Sequence, residues 1–354
     1  MVIFSPGPAN ISERVRRALL KPDISHRDTE FSDLLNGARA NLMDILGVRD
    51  GYESVFLGGS GTAAIESVIA AFGGYDKEIL VVSNGIYGER AADIARVCNI
   101  KIEEMKCKWG SLPDLGHIRS KLRQARFGAV YIVHHETTTG LVNPLKEISL
   151  VAKKYKRLVL TDAISSIASE NIDIKGWGID VVIGSVNKCI RAVPGISFAV
   201  ASKRFLKTIE DCTSHSFYTN LSRHLDTERG GQTPFTPPVQ AFYAFDEALK
   251  ELKSEGVHNR IKKYRDTTGY LRRGLKKLGM RFFLPGRLMS NTMTAVYMPK
   301  GKSYPWLHDE FKKRGFVIYA SPGELKDTTF RLGTVGVISK KDINMFLAIF
   351  KKLL

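Results

Sequence analysis

The fold follows from one stretch of the chain, SVFLGGSGTAAIESVIAAF at residues 54–72. Its first part, Ser54–Leu57, is short and apolar, as expected of a buried strand. A turn of small residues follows at Gly58–Thr62, and from there to Phe72 the apolar residues recur at helical spacing. The stretch therefore predicts a strand, a tight turn and a helix, which is the repeating unit of α/β proteins.

The same alternation of strands and helices continues to about residue 205. Apolar runs typical of buried strands lie at Ile79–Val82, Ala129–Val133, Leu158–Thr161, Val181–Ile183 and Ile196–Val200. A helix is predicted after the first of these runs, at Glu89–Val97. Continuous apolar strands that alternate with helices favour a mostly parallel sheet covered by helices on both faces.

The pattern changes after Pro237–Pro238. Two long helices are predicted over Val239–Leu278, and a last helix over about Lys340–Leu353. Between them, short strands are predicted near Met293–Val296, Val317–Tyr319 and Thr329–Leu332. We therefore expect a smaller α+β domain in the C-terminal part of the chain.

The composition excludes several classes of protein. The 354 residues are 44% hydrophobic and 25% charged, which is unlike disordered, collagen-like or small disulfide-rich chains. No apolar run approaches about 18 residues, so no membrane-spanning helix is expected. The first residues lack the basic and apolar parts of a signal peptide, and the four cysteines include no C-x-x-C pair. These features predict a cytoplasmic protein with reduced thiols.

The charge is strongly positive, with 53 Lys and Arg against 36 Asp and Glu, a net +17. Residues 241–354 alone hold 23 basic and 10 acidic residues. Nucleic-acid binding is one explanation. A basic solvated surface that attracts anionic substrates is the other, and it is favoured because the basic residues lie on predicted amphipathic helices without interleaved aromatic residues. We therefore expect small anionic substrates and no nucleic-acid partner.

Three segments that follow predicted strands carry reactive chemistry. Gly58–Thr62 can direct backbone N–H groups and a helix N-terminus at an anion, or it is a tight turn capped by Ser60. Asp162 ends a strand where α/β sheets bind ligands, or it caps the next segment. Lys188 follows a buried strand, where burial would favour its neutral, nucleophilic amine, or it is a surface lysine on a turn.

Together the three segments match the needs of pyridoxal 5'-phosphate. That cofactor requires a cradle for its phosphate, an anion at its ring nitrogen and a lysine that forms a Schiff base. The three segments occur in that order, and Tyr87, after the next strand, could cover the ring. The combination predicts pyridoxal 5'-phosphate as the cofactor.

Seven short motifs carry a family resemblance. They are SPGP at 5–8, GSGT at 59–62, VSNGIYG at 82–88, HETTTG at 135–140, TDAISS at 161–166, NKCI at 187–190 and FRLG at 330–333. In these motifs the chain resembles the class V aminotransferases of the fold-type-I pyridoxal-phosphate superfamily. Within that class it is most similar to the 2-aminoethylphosphonate–pyruvate transaminases.

The resemblance implies an architecture and an activity. The fold would be α/β, with a mostly parallel seven-stranded sheet between helices and a smaller C-terminal α+β domain. The large cofactor-binding domain would span 16–245 and the small domain 246–354, with residues 1–15 packed on the small domain or the partner subunit. The activity would be transfer of the amino group of 2-aminoethylphosphonate to pyruvate, which yields phosphonoacetaldehyde and L-alanine. The sites would be shared between the subunits of a homodimer.

The resemblance also implies roles for individual residues. Lys188 would form the Schiff base and carry the proton, and Asp162 would pair with the ring nitrogen. The further cofactor-binding residues would be Ser60, Gly61 and Thr62 at the phosphate, Tyr87 and Ile164 on the ring faces, Thr137 at the ring hydroxyl, Asn187 beside the lysine, and Thr236 at the neighbouring subunit's phosphate. Arg331 would hold the keto-acid carboxylate through its planar fork, and Ser5 and Gly7 would also contact substrate.

Some alternatives stay open. The segment ISHRDTEF at 24–31 resembles the alanine–glyoxylate and serine–pyruvate branch, so an aminotransferase of that type is the alternative function. His26 and Arg27 could bind an anion or form structural pairs. A cysteine desulfurase is disfavoured because no cysteine follows Cys212. His134 and His135 are adjacent on a strand and would face opposite sides, so no metal site is expected.

Overall fold

Strands and helices alternate along the chain in the structure, a computed structural model that describes residues 1–354. The strands are β1 (Val2–Ile3), β2 (Tyr52–Gly58), β3 (Glu78–Ser83), β4 (Ile102–Lys106), β5 (Phe127–Val133), β6 (His135–Glu136), β7 (Leu141–Val142), β8 (Leu158–Asp162), β9 (Val181–Ser185), β10 (Ile196–Ser202), β11 (Met293–Tyr297), β12 (Phe316–Val317), β13 (Tyr319–Ala320) and β14 (Thr329–Gly333). The helices are α1 (Glu13–Ala18), α2 (Thr29–Leu46), α3 (Gly61–Ala70), α4 (Ile86–Val97), α5 (Leu115–Leu122), α6 (Leu145–Lys154), α7 (Ile174–Trp177), α8 (Lys203–Ile209), α9 (Leu221–Arg229), α10 (Val239–Glu255), α11 (Val257–Lys277), α12 (Tyr304–Lys313) and α13 (Lys340–Leu353).

The large sheet has seven strands in the order β2-β10-β9-β8-β5-β3-β4. Only β10 runs antiparallel to its neighbours, and the other pairs are parallel. The predicted α/β fold with a mostly parallel seven-stranded sheet is confirmed. The apolar pattern did not reveal the edge strand β4, because its sequence IEEMK contains three charged residues and only Met105 is buried.

Helices cover both faces of the large sheet, and each face has its own apolar core. One core joins alternate strand residues such as Phe56 and Ile132 to α2, α5, α6 and α10. The other joins the intervening residues, such as Leu57 and Tyr131, to α3, α4, α8 and α9. Because successive strand residues face opposite sides, a continuous apolar strand supplies both cores.

The C-terminal part contains a three-stranded antiparallel sheet in the order β11-β14-β13. The predicted strand Val317–Tyr319 is wrong in detail, because the structure has two short strands there, separated at Ile318. The residues before the break pair with β1, whereas those after it pair with β14. The chain therefore passes from one small sheet to another within five residues.

The N-terminal segment packs with the C-terminal part of the chain. Phe4 lies in a third apolar core with residues of α11, α12, α13 and β14. Helix α10 spans the predicted boundary between residues 245 and 246, so the domain limits stay a prediction. None of the helices combines the length and the apolar character needed to cross a membrane.

Candidate active site

A cavity of about 230 Å³ lies at the carboxyl ends of the parallel strands. Nine residues predicted for the cofactor site line it: Ser60, Gly61, Thr62, Tyr87, Thr137, Asp162, Ile164, Asn187 and Lys188. These residues come from five separate segments of the chain. The topology brings them together because β5, β8 and β9 are parallel neighbours and end at the same edge of the sheet.

The turn before α3 presents an anion-binding arrangement. Ser60 is the residue that precedes α3, yet its side chain makes no capping hydrogen bond. The first N–H groups of a helix have no acceptor within the helix. The Ser60 hydroxyl and these N–H groups are therefore available to an anion at the positive end of the helix dipole. This contradicts the simpler interpretation, in which Ser60 caps its own helix.

Asp162 lies at the end of β8, with 3% of its surface exposed. Its Oδ1 accepts a hydrogen bond from the Ile164 N–H at 2.9 Å. Burial raises the pKa of the Asp162 carboxyl to about 7, although Lys188 and that hydrogen bond act in the opposite direction. A buried carboxyl of this kind favours a positive partner.

Lys188 follows β9, and its Nζ donates a hydrogen bond to the Pro6 carbonyl at 3.0 Å. Burial lowers the pKa of the Lys188 ammonium below its usual range. The amine is therefore easier to deprotonate than that of a surface lysine, which is what a nucleophilic lysine requires. The interpretation as a surface lysine on a turn is wrong.

The N-terminal segment lies directly against this lysine. Gly7 has φ +140°, and a Cβ at this position would overlap with the Lys188 Nζ. The Ser5 hydroxyl donates to the Gly7 carbonyl at 2.6 Å and accepts from the Gly7 N–H at 2.8 Å, which fixes the turn. Ser5 and Gly7 thus contact each other, and Gly7 lies against Lys188. Neither residue lines the cavity.

Tyr87 is positioned by the buried Glu136. One carboxylate oxygen, Oε1, accepts from the Thr138 N–H at 2.9 Å and from its hydroxyl at 2.6 Å. The Thr138 hydroxyl in turn accepts from the Ile86 N–H at 3.0 Å, where α4 begins. Glu136 therefore connects β6 to the first turn of α4, which carries Tyr87 into the cavity wall.

Arg331 is buried on β14 and reaches the same region from the C-terminal sheet. Its Nε donates to the Ala320 carbonyl at 2.9 Å, and its Nη1 donates to the Thr137 carbonyl at 3.1 Å. Thr137 lines the cavity, so the guanidinium lies immediately behind the cavity wall. The remaining N–H groups of Arg331 make no hydrogen bond within the protein.

Two of the residues discussed above lie away from the cavity. Thr236 is exposed and does not line it. Arg27, whose role was left open, donates through Nη1 to the Thr233 carbonyl at 2.8 Å and to Gln232 at 3.4 Å. The structure thus shows Arg27 in a structural pair with the segment that leads to Thr236.

Six residues of the cavity lining were not predicted from the sequence, and two of these, Arg90 and His135, have titratable side chains. Arg90 lies three residues after Tyr87, so helical spacing could have placed it on the same face. His135 was considered only as a metal ligand, although it follows β5 as Asp162 ends β8. Its Nδ1 lies 3.1 Å from the Ser165 carbonyl, and its buried Nε2 has no partner. Burial lowers the pKa of His135 to about 4, so the ring is neutral.

The residues of the cavity fit a phosphorylated pyridine aldehyde. The uncapped start of α3 suits its phosphate, Asp162 its ring nitrogen, and Lys188 its aldehyde. The unpartnered His135 Nε2 marks a polar group in the cavity wall that the protein itself leaves unsatisfied. The roles of the individual residues toward this cofactor stay predictions.

The chain is similar to known aminotransferases over nearly its whole length. Residues 10–303 match the family described as aminotransferase class-V. The 2-aminoethylphosphonate–pyruvate transaminase of Vibrio cholerae serotype O1 is 34% identical, over 98% of this chain and 96% of that protein. A bifunctional phosphonoacetaldehyde hydrolase/aminoethylphosphonate transaminase of Clostridioides difficile is 32% identical, over 99% of this chain and 56% of its own length.

Solved structures of aminotransferases have the same fold. The ureidoglycine–glyoxylate aminotransferase of Bacillus subtilis superposes with a TM-score of 0.92 at 25% identity, over 99% of this chain and 92% of that one. The alanine–glyoxylate aminotransferase of Nostoc sp. also gives 0.92, at 23% identity over 99% and 94% of the two chains. The fold is thus the fold-type-I aminotransferase fold. The chain belongs to the class-V aminotransferase family of pyridoxal-phosphate-dependent enzymes.

Proposed function

We propose that this aminotransferase binds pyridoxal phosphate in the 230 Å³ cavity and transfers the amino group of 2-aminoethylphosphonate to pyruvate. The products are phosphonoacetaldehyde and L-alanine. The observation that carries the proposal is the meeting of the α3 turn, Asp162 and Lys188 in one cavity. The choice of amino donor rests on the relatives, one of which also carries a phosphonoacetaldehyde hydrolase in its name.

Residues from the sheet edge would hold the cofactor. Ser60, Gly61 and Thr62 would bind the phosphate with hydroxyl and backbone N–H groups at the start of α3. Tyr87 and Ile164 would flank the ring. Thr137 would approach the ring hydroxyl, and Asn187, whose Oδ1 accepts from the Ser185 hydroxyl at 2.7 Å, would be held beside the lysine.

When bound, pyridoxal phosphate supplies an aldehyde carbon and a ring that accepts the electrons of the broken Cα–H bond. Lys188 supplies the nucleophile for that aldehyde, because its buried amine gives up its proton readily. With substrate bound, the Lys188 Nζ would take the proton from the substrate carbon and return it. Pro6 and Gly7 lie against this amine on one side, where the Pro6 carbonyl accepts its hydrogen bond.

Asp162 would hold a proton on the ring nitrogen of the cofactor. The carboxylate has one hydrogen bond from its own chain, at Oδ1, so Oδ2 remains for the ring N–H. The buried carboxyl has its pKa raised to about 7 when alone, and a cationic ring nitrogen would favour its ionised form. Because a protonated ring accepts electrons more strongly, this pairing would favour loss of the substrate proton.

Both proposed substrates are anions, and the chain favours anions. The net charge of +17 attracts them over a distance. Arg331 would bind the pyruvate carboxylate with the guanidinium N–H groups that its two backbone hydrogen bonds leave free. The Thr137 carbonyl bond holds the guanidinium in place for this contact.

A homodimer with shared sites is part of the proposal. Exposed Phe217 and Tyr218, with 71% and 47% of their surfaces accessible, stand beside Phe235 and the exposed Thr236. Large aromatic side chains are common at the centre of protein interfaces. A partner covering this patch would receive Thr236 at its own phosphate site. Light scattering should give a dimer, and Phe217→Ser should shift it toward monomer.

An absorption experiment tests the function directly. Apo protein is mixed with pyridoxal phosphate, and a visible band is expected that is absent from Lys188→Ala. Addition of 2-aminoethylphosphonate should remove the band, and addition of pyruvate should restore it with formation of one alanine per amine consumed. A matched Lys203→Ala variant, changed at an exposed lysine outside the cavity, should behave like the wild type.

The outcomes of this experiment distinguish an error in the proposed amino donor from an error in the proposed cofactor site. A band that persists with 2-aminoethylphosphonate but fades with alanine or serine would move the enzyme to the alanine–glyoxylate or serine–pyruvate type. Glyoxylate and pyruvate are then each tested as the acceptor with the same wild-type protein. Absence of any band would contradict the assignment of the cavity.

A further inference from the structure

Besides Lys188, whose amine is readily deprotonated, Arg90 is the only lysine or arginine in the cavity lining, and its positive charge is fixed. It lies in the second turn of α4, three residues after Tyr87, and is half-buried. Its guanidinium carbon is 4.9 Å from the centroid of the Tyr87 ring. This is within the range of a cation–π contact, so the two side chains support each other.

The guanidinium of Arg90 has no other partner. It makes no hydrogen bond and no ion pair, unlike Arg96 on the same helix, which pairs with Asp93 and Glu104. The adjacent Glu89 is occupied by the Trp109 indole N–H at 2.9 Å. A half-buried cation without a carboxylate partner needs another source of stabilisation.

The charges around Asp162 identify that source. Arg90 and Lys188 favour its ionised form, whereas the buried Glu136 opposes it. The other titratable groups that face this region are Tyr131, whose buried hydroxyl has no partner, and the neutral His135. Lys188 would bond to the cofactor aldehyde, so Arg90 is the one basic side chain of the cavity lining that would keep its charge.

We propose that Arg90 is a positioning residue of the cofactor site, which braces the Tyr87 ring and supplies the fixed positive charge that acts on Asp162. The inference rests on the proposed binding of pyridoxal phosphate in this cavity. It assigns to a surface-like arginine of α4 the task of keeping the ring-nitrogen partner anionic. Arg90 acts through Tyr87 and Asp162 and does not itself touch the reacting atoms.

The test measures cofactor affinity against pH, without turnover. Apo protein is titrated with pyridoxal phosphate between pH 5.5 and 9, in steps of about half a unit, and binding is followed by quenching of protein fluorescence. Loss of a nearby opposite charge raises the pKa of a carboxyl, and one pKa unit corresponds to a change of about tenfold in an equilibrium constant. We therefore expect Arg90→Gln to move the acidic limb of the binding curve up by about one pH unit. Near neutral pH its affinity should fall about tenfold.

Two single variants make the comparison sharp. Arg90→Lys keeps the charge but lacks the flat guanidinium, so its pH limb should stay near that of the wild type. Arg96→Gln removes one charge from the same helix outside the cavity and should leave the curve unchanged. The cofactor's own titration is common to all variants and cancels in the comparison. Circular dichroism is recorded for each variant to check that it is folded.

A double variant tests the link to Asp162. In an Asp162→Asn background, Arg90→Gln should no longer move the pH limb, because the neutral amide has no charge to stabilise. A shift that persists in this background would overturn the proposal and assign Arg90 to the phosphate instead. Equal curves for Arg90→Gln and Arg96→Gln would also overturn it, with the proposed function intact. Wild-type protein that binds no cofactor would refute both.

Discussion

Two groups of residues meet at Lys188, and they are held in place in different ways. The sheet-edge group, Ser60–Thr62, Asp162–Ile164 and Ser185–Lys188, is fixed by contacts within a few residues of chain. Asp162 bonds to Ile164 and Ser185 to Asn187, each two residues away. The docked group, Ser5–Gly7 and Arg331, is fixed by contacts to residues far away in the chain.

The docked group depends on the assembly of the whole molecule. Lys188 bonds to Pro6 across 182 residues, and Arg331 bonds to Thr137 across 194. The Gly333 N–H further donates to the Phe4 carbonyl at 3.1 Å, which ties the two members together. The residues proposed to bind the cofactor thus lie in local sequence motifs. The residues proposed to bind the substrate come together only where the N-terminal segment and the C-terminal sheet pack against the large sheet.

The largest effect is expected in the sheet-edge group, at Asp162→Asn. The amide can still accept from the Ile164 N–H but cannot hold a proton on the ring nitrogen. We expect kcat to fall about 10³-fold, as is typical when one strong electrostatic contact to the transition state is lost. Steady-state assays with 2-aminoethylphosphonate and pyruvate measure this. An unchanged kcat would remove Asp162 from the mechanism.

The same variant should make the apo protein more stable. Burial holds the pKa of Asp162 near 7, above the ordinary value of 3.8 that applies in the unfolded chain. Between about pH 4 and 7 the folded state therefore binds more protons, and the free energy of unfolding falls as the pH rises. Apo Asp162→Asn should melt at a higher temperature than wild type at pH 8, with the difference disappearing toward pH 4.

A smaller effect is expected in the docked group, at Arg331→Gln. Loss of a charged hydrogen-bond donor to a carboxylate costs about 1.5–3 kcal/mol, so the KM for pyruvate should rise by about 10- to 100-fold. Arg331→Lys keeps the charge without the planar fork and should recover only part of the loss. If the KM for pyruvate is unaltered in both variants, the docked group does not bind the acceptor.

An effect of about the same size or smaller is expected at Gly7, where the docked group contacts Lys188 of the sheet-edge group. In Gly7→Ala the new Cβ would overlap with the Lys188 Nζ, and the φ of +140° is strained for alanine. A cost of about 1–2 kcal/mol at this point corresponds to a fall in kcat of about tenfold. Gly37→Ala on α2, where a Cβ meets no atom within 4 Å, is the matched control and should keep full activity.

The same contrast explains what the sequence could predict. The apolar runs gave six of the seven sheet strands, and the positions of Asp162 and Lys188 after them followed from the rule that ligands bind at strand ends. The edge strand Ile102–Lys106 was missed because an edge strand needs no apolar continuity. The break at Ile318 was missed because only the tertiary partners, β1 and β14, differ on its two sides.

The site was predictable to a similar extent. Residues in motifs at strand ends were found, but Arg90 looked like any other exposed arginine on a helix, since spacing alone does not reveal a missing partner. His135 was considered with His134 and set aside once the pair failed as a chelate. The approach of Gly7 to Lys188 was beyond any local pattern, because it depends on where the first strand docks.

The smallest effect is expected at Arg27→Gln. The sequence left this residue open between anion binding and a structural pair, and its guanidinium donates to Gln232 and the Thr233 carbonyl. A surface contact of this kind contributes little, so kcat/KM for 2-aminoethylphosphonate should change by less than about threefold. A rise in KM for the phosphonate of tenfold or more, with KM for pyruvate unchanged, would instead make Arg27 a donor-binding residue. Because Arg27 is held next to the segment that ends at Thr236, that result would add it to the docked group through the partner subunit's site.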